Sequence, residues 1–467
     1  MLGLTGLLLC AIVFFLALDT IQTRYLSIDP ADETFGNSYL IQQANVLPMD
    51  QDTILSNQSV RVEYGRITAI GELSPRSGER ILNAQGAYLL PGLVDMHVHV
   101  WDRYELGLYL AHGVTTVRNL WGHPMHLRMK ADINEEKILS PDLYTSGPKL
   151  TGPEFIGDDN LQLHTPAEAR EKVNSYHDRG YDFIKTYYGL TPDLYDAVIE
   201  TCRKLAMDIV AHPSQQVPYA YHFDPQIRTI EHAEDIVQLG LNYQLDTAKL
   251  PEIVSLYAEH PQQALCPTMT VYHNIYRMIH EPDLMEDATI NYLNPLIRMV
   301  DSQAQLDRWT QAQAADPDTE QRIYDQHRFH LFIFQQLHQA GGTIVCGTDA
   351  GIGVTPPGAS IHDELAFYQE AGLSHFEVLK TATANPATMH NFLTDIGTIQ
   401  PGKKANLLLV KDNPLENLEA LRDPSWVMVR GRVINKDKLE NMKTRASERN
   451  NLLVSALRYA ENLWVER

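Results

Sequence analysis

The sequence predicts an α/β protein whose main part is a (β/α)8 barrel of the TIM type, with a small β domain contributed by both chain ends. Strand-like apolar segments alternate with helix-like segments over residues 89–394, as a parallel α/β fold requires. Eight such strands can be counted, which is the number that closes a barrel. Several of these strands end on residue types that bind metals. Residues at the ends of different strands come close together in space only when the strands form one barrel.

The predicted barrel strands are short apolar runs. They cover residues 94–99, 113–117, 142–145, 183–187, 209–212, 229–232, 264–271 and 343–349. Between them, segments such as 166–179 and 192–205 have the apolar spacing of helices and begin at residues typical of helix starts. The connection 272–339 is much longer and reads as helical. An insertion of this size is predicted to form a lid or substrate wall, and a contact between subunits is the alternative.

Residues 38–88 and 395–436 have a different pattern, with short strands separated by turns. Gly65 and Gly71 punctuate the first of these segments. We expect the two segments to form one small β domain beside the barrel. The tail, 437–467, reads as a charged amphipathic helix.

The N-terminal residues differ from the rest of the chain. Residues 2–18 are an unbroken run of apolar and small residues, closed by Asp19. The length of this run lies at the short limit for a transmembrane helix. Segment 1–22 is therefore predicted to be a membrane anchor or signal segment, with the catalytic domain outside the cytoplasm, in the periplasm. A buried helix is the alternative.

The composition is that of a globular protein, with 44% hydrophobic and 21% charged residues. The 38 Lys and Arg residues against 59 Asp and Glu give a formal net charge of -21, which disfavours nucleic acid as a partner. The four cysteines, Cys10, Cys202, Cys266 and Cys346, have no paired spacing. We therefore expect neither a disulfide framework nor a Cys-x-x-Cys metal site.

The ends of the predicted strands carry candidate metal ligands. His97 and His99 have the same parity, so both imidazoles point to one side of the strand, about 6.6 Å apart along the backbone. The residues of this kind at the other strand ends are Lys185, His212, His232 and Asp349. Each has an ordinary alternative, such as a hydrogen-bonded core histidine, a surface lysine or a turn-capping aspartate. One shared metal site explains all of these residues together. The ordinary alternatives would require a separate coincidence at each strand end.

Taken together, these segments resemble the amidohydrolase superfamily of metal-dependent hydrolases over residues 45–435. The motifs that carry the resemblance are 90–99, 183–187, 211–212, 231–232 and 347–351, followed by 385–387 and 397–407. The similarity is greatest to the imidazolonepropionase-like branch, which includes Xaa-Pro dipeptidases. It implies a barrel beside a β-sandwich made from both chain ends. Dipeptidases of this branch usually have a Gly-Gly-His-Gly-like loop after the third strand, and residues 149–154 depart from that pattern.

The resemblance also implies a ligand set for two divalent ions. Family members with a lysine at the end of the fourth strand carry it in carboxylated form, and Lys185 would bridge the two ions in this way. The remaining ligands would be His97, His99 and Asp349 for one ion, and His212 and His232 for the other. Imidazole and carboxylate ligands suit zinc, and also manganese, iron or cobalt. We expect two zinc ions, or one if Lys185 is not carboxylated.

The predicted function is metal-dependent hydrolysis of a C–N amide bond in a small molecule: a cyclic amide, an N-acyl amino acid or a dipeptide. A metal lowers the pKa of bound water towards neutrality, and Asp349 is the candidate to carry the proton to the leaving group. The alternative is a one-metal hydrolase or deaminase in which His232 is the catalytic acid or base. A membrane-tethered binding protein is a third possibility. The insertion 272–339 and the tail 437–467 also offer surfaces through which a homo-oligomer could form.

Overall fold

The computed structural model describes residues 2–28, 38–154 and 160–466, so that Met1 and Arg467, at the ends of two predicted segments, lie outside the described residues. It has α/β architecture with parallel sheets, as predicted. The strands are β1 Tyr39–Val46, β2 Leu55–Glu63, β3 Arg66–Gly71, β4 Arg80–Asn83, β5 Tyr88–Pro91, β6 Leu93–Val98, β7 Val114–Asn119, β8 Asp142–Thr145, β9 Lys149–Thr151, β10 Asn160–Gln162, β11 Phe183–Thr186, β12 Asp208–Ala211, β13 Ile227–Glu231, β14 Ala264–Cys266, β15 Thr343–Ile344, β16 Leu407–Val410, β17 Trp426–Val429 and β18 Arg432–Asn435.

The α-helices connect and flank these strands. They are α1 Leu2–Gln22, α2 Arg103–Ala111, α3 Pro124–Asn134, α4 Pro166–Arg179, α5 Pro192–Leu205, α6 Ala233–Asp235, α7 Leu250–Glu259, α8 Met269–His280, α9 Pro295–Ile297, α10 Gln303–Ala315, α11 Thr319–Gln339, α12 Ser360–Glu370, α13 His375–Thr381, α14 Lys436–Ser447 and α15 Leu452–Glu466.

The parallel strands form two sheets. One has the order β6-β7-β8, and the other has the order β10-β9-β11-β12-β13-β14-β15. Two isolated parallel bridges connect these sheets: Ser146, directly after β8, pairs with Phe183 in β11, and Val98 in β6 pairs with Ala350, which follows β15 in the chain. The strands therefore run side by side in one direction, and their carboxyl ends lie on the same side of the molecule.

Two predicted strands are shorter in the structure than in the sequence analysis. The strand predicted over 264–271 ends at Cys266, and helix α8 begins at Met269. Pro267 has no amide hydrogen for a ladder, and Thr268 adopts a left-handed conformation with φ of 48°. The strand predicted over 343–349 is present only as β15. The Val345 amide still bonds the Leu265 carbonyl of β14 at 3.0 Å, but Pro267 has no amide hydrogen with which to continue this ladder.

Strands from both chain ends share one sheet with the order β18-β17-β16-β5-β1-β2-β3, to which β4 adds by pairing with β1. The junction between the two ends is the antiparallel pair β16 and β5, in which Leu408 pairs with Leu90.

Gly92 connects β5 to β6. A Cβ atom at Gly92 would lie 2.2 Å from the Thr115 hydroxyl, so a larger residue does not fit there. The β domain is thus joined directly to the first strand with candidate ligands.

The predicted tail helix is two helices, α14 and α15. The segment between them is tied to α2 by buried polar contacts: Arg449 donates to Asp102 at 3.3 Å and Asn451 donates to Asp102 at 2.9 Å. Breaking the helix here satisfies the buried Asp102 carboxylate and redirects α15 across α3 and α9. The tail therefore reaches the carboxyl ends of the strands.

Segment 1–22, the predicted anchor or signal, forms helix α1 over its described residues. Asp19 near its end bonds Arg458 of α15 at 2.7 Å. Within the part of the chain that the structure describes, none of the helices combines the length and apolar character needed to cross a membrane. The prediction of a membrane anchor or signal segment is thus not supported.

Candidate metal centre

The structure brings the predicted ligands into one buried cluster. Asp349 Oδ1 lies 2.7 Å from His99 Nε2 and 3.1 Å from His97 Nε2. The ring centroid of His232 lies 4.8 Å from that of His97 and 4.7 Å from that of His212. Donor atoms of His97, His232 and Asp349 are close enough together to hold one ion. A second such group is His212, His232 and Asp235, the last of which was not predicted from the sequence.

A third group of close donor atoms is His97, Glu231 and Cys266. Burial raises the pKa of the Cys266 thiol well above its ordinary value, with the Glu231 charge adding to the effect. Both Glu231 oxygens are already bonded, one to His97 Nδ1 and the other to Arg118.

Two of the histidines use one ring nitrogen outside the cluster. His97 Nδ1 hydrogen-bonds Glu231 Oε2 at 2.7 Å, and His232 Nδ1 hydrogen-bonds Thr268 Oγ1 at 2.8 Å. In both rings the second nitrogen is left for a metal, and outer partners of this kind fix the ring orientation and tautomer of metal-binding histidines. His212 Nε2 lies 3.2 Å from Asp235 Oδ2, within the second group of donor atoms.

The charge states of His212, His232 and Asp349 suit metal binding. Burial and the neighbouring His97 lower the pKa of His232 to about 3, and burial lowers that of His212 well below its ordinary value. Both rings are therefore neutral at pH 7 and keep a lone pair. For Asp349, burial would raise the pKa, but the His97 charge and hydrogen bonds from His97 and His99 outweigh it and hold the pKa well below its ordinary value. Asp349 is thus a carboxylate.

Asp349 and His232 also have unusual backbones. Their φ angles are 58° and 68°, in the left-handed region that side chains other than glycine rarely adopt. The Asp349 amide is bonded to the His97 carbonyl at 2.8 Å, and the His232 amide to the Cys266 carbonyl at 2.8 Å. These bonds hold the strained turns that aim both side chains into the cluster, a pattern that is concentrated at functional sites.

Lys185 is the penultimate residue of β11 and is only 1% exposed. Its Nζ has no hydrogen-bond partner within the described chain, and burial lowers its pKa to about 8. An ammonium without partners is costly to bury, so a neutral or modified amine is favoured here. Lys185 lines the same cavity as His97 and His232. The residues present therefore fit a carboxylated lysine that faces metal ions.

A network beneath the cluster holds His97. The buried guanidinium of Arg118 on β7 donates to Glu231 Oε1 at 2.9 Å, and through other nitrogens to Thr229 at 2.9 Å and the Met96 carbonyl at 2.6 Å. Burial would raise the pKa of Glu231, but Arg118 and the His97 hydrogen bond outweigh it and keep the pKa below its ordinary value. A permanent carboxylate thus supports the His97 ring.

The cluster opens into a cavity of about 610 Å³. The barrel-side lining residues beyond the ligands are Trp101, Trp121, Lys149, Tyr187 and Ile352. The insertion contributes Leu296, Ile297, Val300, Asp301 and Gln305, and helix α15 contributes Tyr459. The insertion therefore forms a wall of the cavity, and the tail takes part in it too.

Some functional residues were missed in the sequence analysis. Arg118 and Glu231 were visible as charges inside apolar strands, which require buried partners. Tyr459 had no such signal, because nothing local to α15 indicates that it lies over a cavity.

Comparison with known proteins identifies the family to which this arrangement belongs. The model of the amidohydrolase family matches residues 88–434, a span that contains every predicted ligand. The chain belongs to the amidohydrolase family. The resemblance inferred from the sequence motifs is thus confirmed.

Individual relatives extend over most of this amidohydrolase. Ochratoxinase of Aspergillus niger is 23% identical over 460 residues, which cover 87% of this chain and 88% of that protein. The bottromycin amidohydrolase structure has a TM-score of 0.73 at 21% identity and covers 92% of this chain and 96% of its own. A putative prolidase from Bifidobacterium longum has a TM-score of 0.67 at 22% identity, with 88% and 99% covered. These structures imply a TIM-type barrel with an additional domain.

The amidohydrolase is therefore an enzyme of a metal-dependent family that hydrolyses C–N amide bonds. This confirms the predicted enzyme class. The donor groups around His97 and His212 are compatible with metal binding, as that class requires.

The hydrogen bond between Glu231 and His97 leads to a prediction about metal affinity. We expect Glu231→Gln to weaken metal binding by about 10- to 100-fold, because the neutral amide supports His97 less well. Competition with a chelating dye measures the affinity. Glu364→Gln is the matched control: Glu364 is equally buried but bonds the Met269 and Thr270 amides instead of a ligand. Unchanged affinity in Glu231→Gln would contradict the supporting role.

Proposed function

We propose that this amidohydrolase holds two divalent ions, with zinc as the expected metal, bridged by a carboxylated Lys185. The ligands would be His97, His99 and Asp349 for one ion, and His212 and His232 for the other. The single observation that carries this proposal is the burial of the Lys185 amine without a hydrogen-bond partner in the described chain, on the wall shared with His97 and His232. Carboxylation would convert the buried Lys185 ammonium, which is unfavourable there, into an anion. The anion would offset positive charge on the two metal ions.

When bound, the ions would polarise the substrate carbonyl and lower the pKa of the attacking water. The chain's own residues handle the proton. Asp349 is ionised and in contact with His97 and His99, so it can accept a proton from water and pass it to the leaving nitrogen. In this role Asp349 is the general base and then the general acid, while His232 serves as a ligand.

We also propose the finer fold, a closed (β/α)8 barrel with a composite β-sandwich from residues 38–88 and 395–436. The two bridges that connect the parallel sheets, Ser146 with Phe183 and Val98 with Ala350, support closure. Pairing of β16 with β5 supports the shared origin of the β domain.

The proposed substrates are small amides with an apolar part, namely N-acyl amino acids, dipeptides or cyclic amides. Similar solved structures include a putative prolidase and a Xaa-Pro dipeptidase, and the second name refers to dipeptides. The aromatic and aliphatic lining, including Trp101, Ile297 and Val300, favours an apolar group. Turnover of a panel of these compounds tests the proposal: activity should vanish after chelation and return with zinc. Turnover that persists without metal would contradict it.

Tyr459 leads to a prediction about substrate binding. Its ring lies 6.3 Å from Trp101 and 6.4 Å from Trp121, and the Arg458–Asp19 ion pair beside it holds α15 in place. We expect Tyr459→Ala to raise KM about tenfold through lost apolar contact, with little change in kcat. The control is Trp464→Ala on the same helix, where the side chain is 88% exposed. An unchanged KM for Tyr459→Ala would show that α15 does not contact substrate.

A further inference from the structure

Helices α8 and α11 lie at the two ends of the insertion and face each other through successive pairs of side chains. The pairs are His273 with His327, Tyr276 with Tyr324, and His280 with Glu320. The last pair is a hydrogen bond of 2.8 Å between an imidazole and a carboxylate. The first pair sets two imidazoles against each other, and His327 Nδ1 has no hydrogen-bond partner in the described chain.

The geometry of the His273–His327 pair is that of two imidazoles on one metal ion. Their ring centroids are 4.7 Å apart and their ring planes are inclined by 53°. His212 and His232, which we propose to share an ion, have centroids 4.7 Å apart and an inclination of 60°. Two imidazoles bound to one tetrahedral ion place their centroids about 5 Å apart, because the metal–nitrogen bonds are about 2.0–2.1 Å long. The pair therefore has the separation that shared coordination requires.

The charges around this pair also suit a cation. Burial, with a smaller effect of the Arg277 charge, lowers the pKa of His273 to about 4, and burial lowers the pKa of His327 to about 3. Both rings are therefore neutral at pH 7 and keep a lone pair. The charges of Glu281 and Asp363 act on His273 in the opposite direction and raise its pKa, and Arg277 is itself paired with Glu281 at 3.0 Å. Negative charge is thus available to offset that of a bound ion.

The surroundings hold the two rings and leave one side accessible. His327 is 2% exposed, whereas His273 is half-buried and gives solvent access to the pair. Phe367 of α12 packs against both rings, with its centroid 4.9 Å from that of His273 and 4.8 Å from that of His327. Water can therefore complete the coordination of an ion, while Phe367 restricts the movement of the imidazoles.

We propose that His273 and His327 bind one divalent transition-metal ion at a site separate from the candidate metal centre. Neither residue is among those that line the cavity. Imidazole suits zinc, copper and nickel, whereas magnesium and calcium require oxygen ligands. The ion would join α8 to α11 and close a loop, residues 274–326, that contains the cavity wall at 296–305. With two protein ligands the site is weaker than the candidate metal centre, so it is filled by added metal and emptied by desalting.

The test adds Cu²⁺ to full-length, zinc-loaded protein after desalting. Among first-row divalent ions, Cu²⁺ binds nitrogen ligands most tightly, and its electron paramagnetic resonance spectrum reports how many nitrogens are bound. We expect one equivalent per chain with two imidazole nitrogens, while elemental mass spectrometry finds the zinc content unchanged. Loss of an outer partner already weakens metal binding about 10- to 100-fold, so loss of a ligand in His273→Asn or His327→Phe should weaken Cu²⁺ binding at least tenfold. His273→Asn changes a half-buried position, which favours a folded variant.

The matched control is His280→Asn, which removes a histidine of the same helix whose ring is paired with Glu320. It should bind Cu²⁺ like wild type. Hydrogen exchange locates the ion, because Cu²⁺ should slow exchange of α8 and α11 amides in wild type and leave it unchanged in His273→Asn. Equal Cu²⁺ affinity in wild type and His273→Asn would overturn the proposal. So would Cu²⁺ that binds only as zinc is released, or a loss of binding in His280→Asn equal to that in His273→Asn.

Discussion

Replacing Asp349 by asparagine is expected to lower kcat by about three orders of magnitude. Asparagine keeps the size of the side chain but cannot accept and return a proton, and general acid–base catalysis contributes about 10²- to 10⁴-fold. In the structure the Asp349 carboxylate contacts both His97 and His99, so it is ionised and placed to act on water at the cluster. Steady-state kinetics, with metal content measured on the same sample, give the result.

The matched control for this substitution is Asp142→Asn. Asp142 is another buried carboxylate, but it bonds Arg430 and Lys404 away from the cavity. It should lose stability while kcat stays close to that of wild type. If Asp349→Asn with full metal content keeps kcat within tenfold, another group moves the proton, and His232 becomes the candidate, as in the one-metal alternative.

Replacing Lys185 by alanine is expected to reduce kcat by at least about 10³-fold, because the bridging carboxylate and one metal ion are lost together. The substitution leaves a cavity where the side chain was buried beside the cluster. Acetate or propionate can enter that space and supply the missing carboxylate. Activity of Lys185→Ala should therefore rise with added propionate, in steady-state assays at constant zinc and ionic strength.

The control here is Lys404→Ala, which removes a lysine paired with Asp142 and remote from the cavity lining. It should keep its activity and show no response to propionate. A Lys185→Ala enzyme with wild-type turnover would exclude a bridging role. A variant with no turnover in any concentration of propionate, but two bound ions, would show that Lys185 acts in the reaction without carrying a bridging group.

The ligand positions could be predicted from the sequence because each is a local feature. His97 and His99 share strand parity, and Lys185, His212 and Asp349 follow short apolar runs. Periodicity and topology alone then place their side chains on one side of the molecule. The structure does bring these side chains together.

The limits of two strands were harder to predict. An apolar run that includes Pro267 and Thr268 reads as a continuous strand, but a missing amide hydrogen and a left-handed φ end it at Cys266. The run towards Asp349 also stops pairing with β14 after Val345, where Pro267 offers no amide hydrogen. Where each strand ends depends on residues that are distant in the chain. Local strand propensity therefore does not predict these ends.

The residues that form the wall of the cavity could not be predicted from the sequence either. Tyr459 lies at the cavity because the buried Arg449–Asp102 contact redirects the tail. Lys149 begins the short strand β9, and only the structure shows that its side chain lies beside Tyr187 and Trp121. Pocket residues from an insertion and a tail require the tertiary structure, whereas strand-end ligands do not.

The measurement that tests the central claim most directly is the metal content of the full-length protein, expressed with bicarbonate and purified without chelators. Elemental mass spectrometry should find two equivalents of divalent metal per chain in wild type and at most one in Lys185→Ala. One equivalent in both proteins would contradict the bridged two-metal centre, and would favour a one-metal hydrolase or deaminase with unmodified Lys185.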